Sequence, residues 1–261
     1  YDRAGVGFSD EITRPATAAN MVDDLRKLLA AADLRPPYLL VGASSGGLNA
    51  RLFAYTYPEE VVGLVLVDPS HEDQTEGYRK LDPRGLSPEE WDAQVIEPGL
   101  SLRRECIVAV ESGMAPESEM YRRCSFAQYP QLSAAVQKAT IAFQMAPKFQ
   151  RAQLSEEENV FRATVRQLKA ASRSLGAMPV VVLAHDRPPL PTEPVSSEKI
   201  AQRNARYELW LALSRSSAAI SEIGEVRVVP GTGHGISLEK PEAVITAVRE
   251  LILASRATSG E

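Results

Sequence analysis

The sequence predicts an α/β chain: a mostly parallel sheet flanked by helices, with a helical segment inserted between two parts of the sheet. Three observations predict it. Over residues 18–68, amphipathic helical patterns alternate with short, continuously apolar runs, as expected of strands covered on both faces by helices. Over residues 69–178 such runs become rare, and Glu, Arg, Gln and Ala dominate. From residue 179 the alternation resumes and continues to the final helix.

The elements follow in order. In "TAANMVDDLRKLLAAADL", Val22, Leu25, Leu28 and Leu29 recur at helical spacing with charges opposite. "PPYLLVG" reads as a short buried strand, "GGLNARLFAYTYPEE" as a helix closed off near Pro58, and "VVGLVLVD" as a second buried strand. Inside 69–178, "PEEWDAQVIEPGLSLRRECIVAVESGM" and "EENVFRATVRQLKAASRSL" carry amphipathic helical patterns, their charge-dense faces being those of solvated helices. "MPVVVLAHD" is a third strand, and "DRPPLPTEP" after it is a proline-rich loop. "EKIAQRNARYELWLALSRSS" is a helix with Leu209, Leu211 and Leu213 near its buried side. "GEVRVVPGTGHG" is a strand running into a glycine loop. "KPEAVITAVRELILAS" closes the chain as a helix, with Val244, Val248, Leu251 and Ile252 on one face and Pro241 in its first turn. The expected organisation is a core of residues 1–68 and 179–261 with a helical cap at 69–178.

Composition bounds the function. Hydrophobic residues make up 44% and charged residues 24% of the 261, an ordinary globular mix. The net charge of −5 leaves no basic excess for a polyanion, so no nucleic-acid partner is expected. No apolar run approaches the length of a membrane span. Cys106 and Cys124 fit either one disulfide or two unpaired thiols, with no His or Cys near them at metal-ligand spacing. Nothing in the sequence speaks to oligomeric state or compartment. The chain opens directly on "YDRAGVGFSD", which reads as a processed or truncated start.

The chemistry centres on "VGASSGG". Gly42, Ser44 and Gly46 fit G-x-S-x-G, with a strand before and a helix after. A chain that reverses sharply from strand to helix presses the residues two before and two after the turn together, so both are expected to be small. The central serine is then held strained and exposed above the sheet edge. Ser45 opens the helix, where its backbone N–H can face a developing oxyanion. A serine nucleophile needs a general base. The three histidines, His71, His185 and His234, all follow strands, hence all lie near the carboxyl edge of a parallel sheet. His234, in "PGTGHGISLEKPEAV", has glycines on both sides that let a flexible loop aim its imidazole. His71 and His185 read as structural or rim residues. There is no H-x-H or H-E-x-x-H pairing, so no metal site is expected.

The stretches "YDRAGVGFS", "VGASSGG", "YPEEVVGLVLVD" and "GTGHGISLEKPEAV" together resemble the α/β-hydrolase family, over residues 1–68 and 179–261. The branch most similar is the esterase, lipase or aminopeptidase-like one with a helical cap. Family members with an aspartate nucleophile, dehalogenases and epoxide hydrolases, are disfavoured because position 44 is serine. The resemblance implies a serine hydrolase acting through an acyl-enzyme on a carboxylic ester or amide of a small molecule, without cofactor. It implies Ser44 as nucleophile, His234 as base and the Ser45 N–H as oxyanion donor. Two aspartates are alternatives for the acid that orients the base: Asp186, at the strand end most of the family uses, and Asp68, after "GLVLV", which is preferred. The second oxyanion donor and the first strands would precede Tyr1. A 261-residue chain without them is expected to be poorly stable and weakly active, with an aggregation-prone strand edge. Met114, Met120, Phe126, Phe143, Met145 and Phe149 are candidates to line an apolar pocket in the cap. The alternatives are a non-catalytic ligand-binding or receptor-like protein on the same fold, or a cofactor-free lyase or perhydrolase using the same triad.

Overall fold

The computed structural model of the protein describes residues 1–125, 132–189 and 194–259. In chain order the elements are α1 (Ala18–Ala31), β1 (Tyr38–Ala43), α2 (Ser45–Thr56), β2 (Val61–Val67), α3 (Gln74–Lys80), α4 (Pro88–Trp91), α5 (Glu97–Glu111) and α6 (Glu119–Cys124). They continue with α7 (Ala134–Gln144), α8 (Pro147–Val160), α9 (Ala163–Ala171), β3 (Val180–His185), α10 (Ser197–Ala218), β4 (Glu225–Val229), α11 (Ile236–Glu239) and α12 (Pro241–Ser259). Among the described residues, no helix is long and apolar enough to cross a membrane.

The four strands form one parallel sheet in the order β1-β2-β3-β4. β2 lies between β1 and β3, and every residue of "VVGLVLV" except Val62 is buried. That is why its sequence is apolar without alternation: both faces are covered. Val65 and Val67 share one face with Val181 and Leu183 of β3, by the two-residue repeat of a strand. They form a core with Val229, Ile236, Ala247 and Leu251, and Leu39, Ala243, Val244 and Val248 pack against it. Deleting a buried leucine side chain of this kind costs about 2–5 kcal/mol. β1 and β4 are the edges. Val41 of β1 is 50% exposed, while β4 places Glu225 and Arg227 among its valines.

The register aligns the strand ends that matter: Ala43 is opposite Val67, Val67 opposite Leu183, and His185 opposite Val229. Residues 44, 68, 185 and the loop after 229 therefore leave the sheet along one carboxyl edge.

The chain divides into two compact units, residues 1–24 with 86–164 and residues 25–85 with 165–261. These bounds differ from the 69–178 insertion. Residues 69–85 and 165–178 group with the sheet, tied there by contacts such as Lys169 Nζ to Asp73 (2.7 Å) and Leu175 N–H to the Ile220 carbonyl (2.8 Å). Residues 1–24 group with the helices of 86–164. Arg3 pairs with Glu156 at 2.6 Å, and a side chain at Gly5 (φ 79°) would strike Ala152 at 2.4 Å. Within this helical unit Cys106 and Cys124, both buried, form a disulfide with Cα atoms 5.5 Å apart. Met114, Met120, Phe143, Met145 and Phe149 are half-buried, Phe143 edge-on to Phe8 at 5.1 Å. Phe126 lies outside the described residues, as do positions 190–193 of the proline-rich loop.

Three helical expectations are corrected. The pattern at 157–175 is two helices, because Phe161 (φ −105°) leaves the helical region and Arg162 turns back onto the Asn159 carbonyl. In α10 the buried stripe is Tyr207, Trp210, Ser214, Ser217 and Ala218. Leu209, Leu211 and Leu213 are half-buried, since residues two apart point to different sides of a helix. In α12, Leu251 is buried but Ile252 is 36% exposed.

Candidate active site

Ser44 stands between β1 and α2 with φ 52°, a left-handed conformation that costs a non-glycine residue about 1–3 kcal/mol. The surrounding packing imposes it. The Ser44 N–H donates to the Val67 carbonyl at 3.0 Å, and its own carbonyl accepts from the N–H groups of Gly47 and Ser70, each at 3.0 Å. The serine is thus bound on both sides of its backbone to the start of α2 and to the end of β2. A methyl group at position 42 would lie 2.4 Å from the Gly46 carbonyl oxygen, so Gly42 must be glycine. The expected need for a small residue at 46 is corrected: a side chain there meets nothing within 4 Å. The second crowded position is Gly47, whose added carbon would sit 2.6 Å from Pro69 Cβ.

Ser44 caps α2 by position, yet its hydroxyl makes no capping hydrogen bond. Its Oγ lies 3.1 Å from His234 Nε2 instead, and His234 Nδ1 lies 2.5 Å from Asp68 Oδ2. Ser44, His234 and Asp68 therefore form a hydrogen-bonded row on the sheet's carboxyl edge. Asp186 stands apart from it. Its Oδ1 accepts from the Arg187 N–H and its Oδ2 from the Gly231 N–H, both at 2.7 Å, while its own N–H donates to the Thr232 carbonyl at 3.1 Å. The alternative acid is thus an anchor for the loop that carries His234. Glu239 holds the same loop through the Gly233 N–H (2.8 Å), and Lys240 holds it through the Pro230 carbonyl (2.6 Å). The loop is tied down at several points despite its glycines.

The sequence profile of the alpha/beta hydrolase fold matches residues 1–241. The chain belongs to this family. A Bacillus subtilis (strain 168) protein, YqjL, is 43% identical over 70 residues, a stretch that is 27% of this chain and 28% of YqjL. The chain is also similar in structure to the epoxide hydrolase CorEH, with TM-score 0.64 at 15% identity, covering 98% of this chain and 81% of that one. A thermophilic esterase from Thermogutta terrifontis has TM-score 0.55 at 21% identity, covering 97% and 78%. At these identities the structural likeness is one of fold.

In this alpha/beta hydrolase the electrostatics converge on Asp68, which has no exposed side-chain surface and a φ of 45°. Burial alone would raise its pKa. Hydrogen bonds from His185 and His234, with the His185 backbone N–H, outweigh that and hold the carboxyl at about 2. Oδ1 accepts from the His185 N–H (3.0 Å) and from Trp210 Nε1–H (2.9 Å), and His185 Nδ1 lies 2.9 Å from it. The bond to Asp68 in turn raises the pKa of His234 above 6.5, against partial desolvation. His71 is a separate case. It is buried, burial lowers its pKa, and its Nδ1 accepts from the Asp73 N–H at 3.0 Å. Arg51, 1% exposed, grips Glu72 through both terminal nitrogens at 2.6 and 2.7 Å and ties α2 to the segment after β2.

Sequence reasoning missed Trp210, Gly47 and the second imidazole on Asp68. Only His185 left a signal, as a histidine at a strand end. Trp210 and Gly47 reach their partners across 142 and 22 positions of sequence, respectively, with no local pattern to mark them.

Proposed function

We propose that this chain is a serine hydrolase that cleaves a carboxylic ester or amide of a small organic molecule through an acyl-enzyme. The observation carrying the proposal is the hydroxyl of a strained, non-capping Ser44 at 3.1 Å from an imidazole nitrogen whose ring partner is a buried carboxylate. In this reading Ser44 Oγ attacks the carbonyl carbon as His234 Nε2 takes its proton. Asp68 accepts from Nδ1–H, fixes the tautomer and stabilises the imidazolium. The Ser45 N–H, first in α2, faces the tetrahedral oxyanion at the positive end of the helix dipole. His234 then protonates the leaving group. Water, deprotonated by the same nitrogen, attacks the acyl carbon and releases the acid and the serine. None of these steps calls on a cofactor.

The esterase neighbour supports the ester reading by analogy of fold. The epoxide hydrolase neighbour shares the same fold, and serine at position 44 favours acyl transfer over epoxide opening by a carboxylate. The test is hydrolysis of p-nitrophenyl esters of graded chain length, beside aminoacyl amides. Turnover that falls by about 10⁴-fold or more in Ser44→Ala supports the proposal. Turnover unchanged in that variant would exclude Ser44 as nucleophile.

A further inference from the structure

A cleft of about 320 Å³ lies between the end of β3 and α10, with Tyr78 of α3 on its wall. Neither Ser44 nor His234 lines it. Lys199, Arg203 and Arg206 enter it from positions i, i+4 and i+7 of α10, a spacing that puts them on one helix face. Tyr207 and Trp210, both largely buried, supply ring surface beneath them, and half-buried His185 completes the floor.

Two features give the cleft its chemistry. Among the described residues, no acidic residue lines it. Lys199 and Arg206 form no ion pair with any described carboxylate, and the Arg203 guanidinium donates to the Pro189 carbonyl. Ring surface beneath and unpaired cations at the rim match a ligand with a flat apolar body and an anionic head. The volume, at the low end for ligand pockets (about 300–1,000 Å³), limits the body to about one ring.

We infer that this cleft is a second binding site, for a small aromatic carboxylate. The carboxylate lies between Lys199 and Arg206, and the ring packs against Trp210 and the side of Tyr207 left open by the Arg187 guanidinium, which lies over the Tyr207 ring at 4.7 Å. The cleft touches the candidate active site at two of its lining residues: His185, whose Nδ1 lies 2.9 Å from Asp68 Oδ1, and Trp210, whose Nε1–H donates to the same oxygen.

The test is calorimetric titration of the 261-residue chain with benzoate, and with benzamide as a neutral probe of the same shape. Benzoate is expected to bind with a Kd below about 1 mM, and benzamide at least about tenfold more weakly. The double variant Lys199→Gln/Arg206→Gln changes two exposed side chains. It is expected to keep the wild-type circular dichroism spectrum and lose at least about tenfold in benzoate affinity. Ser44→Ala is expected to bind benzoate as the wild type does. Binding is read without turnover, so a failed esterase assay leaves this result standing. Equal affinity for benzamide, unchanged benzoate affinity in the double variant, no saturation by about 10 mM benzoate, or loss of binding in Ser44→Ala would each overturn the inference.

Discussion

Asp68 lies between two imidazoles, and its geometry separates the two aspartates that the sequence left open. It accepts from His234 at 2.5 Å and is held from behind by His185 and Trp210, whereas Asp186 spends both oxygens on backbone N–H groups. Asp68→Asn is expected to lower kcat by about 10⁴-fold, the loss seen when an amide fixes the wrong imidazole tautomer. Asp186→Asn, which loosens only the loop anchor, is expected to stay within about tenfold of wild type. Near-normal kcat in the first and a loss of several orders in the second would reverse the assignment. The pH profile follows from the same pair. His234 must be neutral to accept the Ser44 proton, and its pKa is raised by Asp68, so kcat/KM is expected to climb through a midpoint above pH 6.5. Removing the carboxylate should move that limb downward. The signs for stability are opposite at the two groups. His234's contribution is complete below pH 6.5 and is lost as pH rises through its folded value. Asp68's is present above 3.8 and is lost as pH falls towards about 2.

At the scale of elements, the strand–turn–helix around Ser44 distinguishes glycines that look equivalent in "GASSGG". Gly42→Ala drives a methyl group into the Gly46 carbonyl and is expected to cost about 1–3 kcal/mol or more. Gly46→Ala fills open space at the start of α2 and is expected to be neutral or to gain up to about 1 kcal/mol, because alanine is the better helix former. Urea denaturation of the two variants checks this, and equal losses would show that the crowding is symmetric after all. The turn itself was legible in sequence because its signal is local: an apolar run, small residues and then a helical pattern. The same holds for all four strands and for the helices that flank them. Where legibility failed, the partner was remote. Gly47 is crowded by Pro69 from the end of the next strand. The buried stripe of α10 is set by Tyr207 and Trp210 facing Asp68 and His185, so its leucines misled. The break at Phe161 left no Gly or Pro to announce it.

For the whole molecule, the parallel register does what no single motif can. It brings residues 44, 68, 185 and 234, drawn from four strand ends, to one edge of the sheet. The sequence indicated that edge through the alternation of helices and strands, and it offered Ser44 and His234 as candidates. It preferred Asp68 without deciding between the two aspartates, since which one meets the imidazole depends on loop paths fixed by long-range hydrogen bonds. Nor could it draw the unit boundaries, because residues 1–24 are assigned to the helical unit by contacts such as Arg3 to Glu156, across 153 positions. The proposed mechanism requires that this constellation make one serine nucleophilic. Labelling of the folded chain with a fluorophosphonate, followed by mass spectrometry of the modified peptide, tests this without a substrate. A single adduct on Ser44 that disappears in His234→Ala is expected. An adduct on Ser45 instead, or no adduct on a folded wild-type chain, would contradict it.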